Sequence, residues 1–152
     1  MIKFEVIEMA YQKESKENKS AKRIRVTMAV LLFIEVVLTS FPFLQDLETG
    51  ESYSPFGVLI QTISEPTSER ISAAIAYGLF VLLPMIAFFF CVLDSKSNAK
   101  NFISAAVCVI CVIMIISFIG PAHIAFGSVM SLLLYIAIMF FSTMGFFASI
   151  KK

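Results

Sequence analysis

Glu35 is the one ionisable side chain set deep in an apolar run of this chain, the stretch VTMAVLLFIEVVLTSFPFL from Val26 to Leu44. An acid in such a place has two kinds of work open to it. It can take up a proton or hold a cation on a pathway, or it can stay protonated and tie helices together by hydrogen bonds. Out of water and without a cation beside it, the neutral acid is the favoured form. Counting about 1.5 Å per residue from Val26 puts the carboxyl near the midplane of a membrane-crossing helix. Its own helix offers one polar companion a turn further on, Thr39, since Met28, Leu31 and Leu32 on the preceding turns are apolar. Counting inward along the other apolar runs brings Ser142, and Tyr135 two turns from it, toward the same depth, so these are its expected partners.

The remaining candidates for chemistry are weaker. Cys108-Val109-Ile110-Cys111 forms a C-x-x-C. Such pairs resemble those of four-span membrane thiol oxidoreductases, the quinone-reducing disulfide enzymes. That resemblance implies redox cysteines near the outer surface and a second pair for relay, whereas these two lie inside an apolar helix and no cysteine falls in an outer segment. Two sulfurs on adjacent turns of one helix also bridge poorly, so they read as packing residues. His123 stands alone at a turn, without the convergent ligands a metal needs. No G-x-S-x-G, H-E-x-x-H or Walker sequence occurs, so neither an enzyme nor a cofactor is expected.

What must position Glu35 is a membrane domain. The chain has 152 residues, 59% hydrophobic and 15% charged, with the charges gathered in short stretches. Four runs, 26–44, 71–93, 102–119 and 128–150, are each close to the roughly 20 apolar residues that cross a hydrocarbon core of about 30 Å. The expected fold is an all-α, antiparallel bundle of four transmembrane helices forming one domain over 26–150. It is preceded by a charged segment, 1–25, and followed by a two-residue tail, Lys151 and Lys152. No cleavable signal peptide is expected, because the first apolar run starts only after a long polar stretch.

Orientation follows the basic residues. Lys3, Lys13, Lys16, Lys19, Lys22, Arg23 and Arg25 precede the first run, and Lys96 and Lys100 lie in the linker 94–101. The loop 45–70 has Arg70 alone among five acids, and the turn 120–127 has no Lys or Arg. Basic flanks resist translocation, so both termini are expected on the cytoplasmic side of the plasma membrane. A net charge of +1 gives no reason to expect a nucleic-acid partner.

Local signals fill in the remainder. Phe4, Ile7 and Tyr11 suit a short amphipathic helix on the inner surface, although the alternation in KFEV would also suit a strand. Lys19, Lys22, Arg23 and Arg25 stand at the level of lipid headgroups. In the outer loop, Ser54-Pro55 reads as a cap with proline at the first helical position, and Ser64-Glu65-Pro66 as a stop. The ten-residue helix between them is too short to span and is expected in the interface. Pro84 falls inside the second run and predicts a kink. Ser72/Ala76 and Ala74/Gly78 there are small pairs that allow close helix approach. Gly120-Pro121-Ala122-His123 is a tight turn. Gly127, Ser131, Tyr135, Ser142, Gly145 and Ser149 form one inward stripe on the last run, matched by Ser104, Cys108 and Cys111 on the third.

A carboxylate in the first of four spans resembles the small multidrug resistance transporters in that one respect. This chain has no tryptophan, its first outer loop is far longer, and the likeness stops at Ile34-Glu35-Val36, so no activity or site is implied. The sequence favours a non-enzymatic interaction, accessory, regulatory or immunity-type subunit, partnered by a membrane protein or by its own copies. The alternative is a small proton-coupled transporter or oligomeric channel using Glu35.

Overall fold

The computed structural model describes residues 2–46, 48–93, 98–118 and 123–150, with side chains described from residue 19 to residue 148. The amphipathic face of Phe4, Ile7 and Tyr11, most of the linker 94–101, the Gly120-Pro121-Ala122 part of the outer turn, Ser149 and the tail 151–152 lie outside that description. The element order is α1 (Ile2–Leu38), β1 (Leu44–Gln45), β2 (Ser52–Tyr53), α2 (Pro55–Ser64), α3 (Ser68–Leu93), α4 (Ala99–Phe118), β3 (His123–Ile124) and α5 (Phe126–Ile150).

α3, α4 and α5 are each long and apolar enough to cross a membrane. Their outward faces carry the bulky apolar side chains: Leu79, Leu82, Ile86 and Phe89 on α3, Ile113 and Ile116 on α4, and Leu133, Ile136 and Phe140 on α5 are all exposed. Ser104, Ser128, Ser131 and Ser142 are buried instead. Polar groups inside and bulky hydrocarbon outside is the arrangement of a helical protein solvated by lipid, where hydroxyls join helices and aliphatic chains meet acyl tails.

The helices close into a ring, α1 against α3 and α5, and α4 against α3 and α5, while α2 lies on the outside of α3. Each contributes an inward stripe at helical spacing: Met28, Leu32, Glu35 on α1; Phe80, Pro84, Ala87, Cys91 on α3; Ser104, Cys108, Cys111, Ile115 on α4; and Ser131, Tyr135, Ile138, Ser142 on α5. α3 continues as helix through the buried Pro84. A methyl group added at Gly78 would meet Leu59 of α2 at an ordinary 3.7 Å, so the packing of α2 here leaves room for one.

α1 departs from expectation. It stops at Leu38, so only Val26 to Leu38 of the apolar run is helical. The cause is local. Ser40 and Phe41 N–H groups reach back to Val37 and Leu38 carbonyls in tight last turns, and Pro42 has no N–H to continue. The chain then turns extended, with Phe43 N–H donating to Tyr53 O at 2.8 Å and Phe56 N–H to Thr39 O at 3.1 Å.

That extended stretch is the middle of a small sheet that the sequence did not announce. Its order is β2-β1-β3, with both pairings antiparallel, Leu44 opposite Tyr53 on one side and Ile124 on the other. The β1–β2 turn is built on Asp46, whose carboxylate accepts from the Glu48 N–H at 2.7 Å and the Thr49 N–H at 3.1 Å. Those two bonds hold its carboxyl below the ordinary 3.8. Gly50 closes the turn with φ +72°, a conformation that suits glycine. The sheet also ends α5: Gly127 N–H donates to Pro42 O at 2.8 Å, Ala125 N–H to Phe43 O at 3.1 Å, and the Ser128 hydroxyl to the same Phe43 carbonyl. First-turn groups that a helix cannot satisfy internally are thereby paired.

α2 runs from Pro55 to Ser64, between the expected signals, with the Ser54 hydroxyl accepting from Gly57 N–H at 3.0 Å.

Candidate functional site

Glu35 is fully buried, 0% exposed, on the stripe that α1 turns into the ring. Since α1 ends three residues later, it sits about one turn below the sheet-capped end of the helix and not midway along a 19-residue span. The groups facing its carboxyl are the hydroxyls of Ser131 and Tyr135, one turn apart on α5. Cys111 and Cys108 of α4 approach from across the ring, with the Cys111 thiol next to the Tyr135 hydroxyl. Phe80 covers Tyr135 edge-on, ring centroids 6.4 Å apart, and meets Phe43 at 5.1 Å in the same manner. The acid is therefore enclosed by helices, and the Tyr135 beside it is covered by the ring of Phe80 from α3, which in turn meets Phe43 just before β1.

The polar atoms here stand close without being joined. Among the described residues, both carboxylate oxygens of Glu35, Oγ of Ser131 and Oη of Tyr135 have no hydrogen bond of normal geometry. The two hydroxyls stand beside the carboxyl as groups able to hydrogen-bond to it. Buried oxygens so weakly paired are a costly arrangement, since a polar group without a good hydrogen bond loses its hydration without full return. Chemically the cluster is an acid flanked by two groups that can either donate or accept, a set able to bind a proton or receive a small cation.

Two of the expected partners are engaged elsewhere. The Thr39 hydroxyl donates to Val36 O at 2.7 Å, within its own helix end, and Ser142 donates to the Asn101 carbonyl. Ser142 belongs to a separate crossing of α4 and α5, where a Cβ on Gly145 would come within 2.8 Å of Asn101 Oδ1. Tyr135 does face the acid. Ser131, a member of the same inward stripe of α5, stands beside the acid where depth counted from the ends of the apolar runs points to Ser142.

The other candidates are scattered. Lys19, Lys22 and Arg23 are exposed on α1 and Arg25 is half-buried, all before Met28, the first buried residue of the described side chains. Cys91, Cys108 and Cys111 are buried thiols outside any disulfide, and Cys91 Sγ lies 3.4 Å from Ser104 Oγ. His123 is exposed on β3. Among the described residues no group of His, Cys, Asp or Glu is placed to hold a metal ion.

Fold and site together define a helical protein compatible with a membrane location, with an acid enclosed by its helices. Comparison of the chain with protein-family models, with curated proteins and with solved structures gives no match.

Proposed function

We propose that this chain is a non-enzymatic interaction subunit of a membrane complex, accessory, regulatory or immunity-type, held in the cytoplasmic membrane by four helices with both termini inside. The supporting observation is α1. It is one helix of 37 residues, about 55 Å long against a hydrocarbon core of about 30 Å. Its first buried residue among the described side chains is Met28, and the side chains from Lys19 to Arg23 are all exposed. A charged helical rod fixed to a membrane bundle is a recognition arm.

In this reading α1 also crosses the bilayer, despite its short apolar helix. Lys19, Lys22 and Arg25 snorkel at one end. At the other, Ser40 to Leu44 complete the thickness as irregular backbone whose groups are paired within the protein, the condition under which non-helical chain is tolerated at membrane depth. α2, apolar and packed on α3, then lies in the outer interface.

The test is affinity capture after mild detergent extraction, comparing the native chain with Ser20→Pro, which breaks the rod outside the bundle. Recovery of a membrane-protein partner by the native chain and its loss from Ser20→Pro is expected. A lone monomer in both samples overturns the proposal.

The buried, weakly paired oxygens favour a second reading, a small proton-coupled transporter or oligomeric channel in which Glu35 carries the proton. Here Glu35→Gln is expected to abolish flux in proteoliposomes while helicity is retained. Unchanged flux and unchanged pH dependence remove this reading.

A further inference from the structure

α1 and α3 part from each other near Arg25, leaving a groove of about 330 Å³ that nothing in the functional reading uses. Arg25, Ala29 and Phe33 follow one another at intervals of four along α1, so they share a face. Arg25 stands at the mouth, Ala29 leaves the space, and Phe33 stands beyond it. α3 runs the opposite way and supplies the facing wall, Val92 and Cys91 near the mouth and Phe88 at depth. Phe33 and Phe88 meet across the groove, ring centroids 5.9 Å apart. From Arg25 to Phe33 is about 12 Å along α1. The wall is hydrocarbon and sulfur, with the Cys91 thiol turned toward Ser104. Adjoining the mouth is a second concavity lined by Lys19, Lys22 and Arg23, which shares Val26 with the groove.

We infer that this groove is a binding site for an anionic phospholipid, one acyl chain lying between α1 and α3 and the phosphate seated at Arg25. Charge complementarity decides the occupant. Among the described residues Arg25 makes no ion pair or hydrogen bond. Its guanidinium presents a fork of N–H donors that matches two phosphate oxygens. Lys22 and Lys19, one and two turns back, add positive charge beyond it, where a headgroup extends. A helix of another protein would bring no anion to that level as a matter of course. A zwitterionic lipid would place a second cation among three. The groove is open along its length and mostly apolar, which suits a hydrocarbon tail and does not suit a free anion as the whole ligand.

The experiment is native mass spectrometry of the full chain released from detergent containing equal phosphatidylglycerol and phosphatidylcholine. Retention of phosphatidylglycerol in preference to phosphatidylcholine is expected, by about fivefold for the guanidinium contact. Arg25→Gln removes the preference. Ala29→Phe fills the slot and lowers retention of both lipids. Lys100→Gln, a charge removed at the same end of the bundle but outside the groove, leaves the preference intact. Equal loss from Lys100→Gln and Arg25→Gln means general surface attraction and overturns the site. So does a dimer mass that Ala29→Phe abolishes without any lipid preference, which would assign the groove to a second copy. Circular dichroism of each variant confirms that the helices persist, and neither partner capture nor flux enters the readout.

Discussion

Glu35→Met is expected to make the bundle harder to unfold, by about 1–3 kcal/mol. Glu35 is 0% exposed, and although the Ser131 and Tyr135 hydroxyls stand beside it, neither of its oxygens has a hydrogen bond of normal geometry among the described residues. A buried polar group of that kind contributes its desolvation cost and recovers little, and methionine offers similar length, no polar atom and the freedom to fill the same irregular space. If the acid instead tied α1 to α5, removing it would loosen the bundle and the sign would reverse. Reversible unfolding in bicelles, followed for the native chain and Glu35→Met, separates the two: a loss of stability of about 1 kcal/mol or more would show that the carboxyl is a structural tie. A gain in stability matters for function, because an acid that costs the fold is retained for something other than the fold. Combined with flux lost in Glu35→Gln, it would move the weight of evidence toward the proton-carrying reading.

How far the sequence reaches can be judged from the same residues. α3, α4 and α5 were legible because a run of about 20 apolar residues admits few other structures. The limits of α2 could be read from Ser54-Pro55 and from the Pro66 that follows it. The sheet could not be read. Its strands are two residues long, too short for any alternation to register, and its pairings join Leu44 to Ile124 across most of the chain. That omission spread to the site. Without the sheet, Pro42 marks the helix as ending or kinking near the outer interface within a span counted from Val26 to Leu44, and Glu35 then falls at the midplane, level with Ser142. With it, α1 ends at Leu38 and the acid moves up to Ser131 and Tyr135. The stripe on α5 was visible from spacing alone, because period is local; which member of the stripe meets Glu35 depends on how the helices are staggered, and a non-local pairing sets that stagger.

The stagger itself can be tested at Gly127. A methyl group there would stand 2.6 Å from the Pro42 carbonyl oxygen, 3.0 Å from Phe43 Cδ2 and 3.2 Å from the Pro42 carbonyl carbon. Two of those three atoms are backbone in the strand connection and cannot swing aside like a side-chain tip. Gly127→Ala must therefore push α5 away from the sheet and weaken the Gly127 N–H to Pro42 O bond, together with its neighbours from Ala125 and Ser128. A destabilisation of about 2–3 kcal/mol is expected, at the upper part of the range for overpacking because hydrogen bonds are lost as well. Gly78→Ala is the control. It is also helical, and an added methyl meets only Leu59 Cδ2 at 3.7 Å, an ordinary contact. With alanine the better helix former, Gly78→Ala should be neutral or stabilising by up to about 1 kcal/mol. Unfolding of both variants beside the native chain gives the answer. If Gly127→Ala proves as harmless as Gly78→Ala, then α5 is not seated on the strand connection, and the depth at which Ser131 and Tyr135 meet Glu35 loses its structural basis.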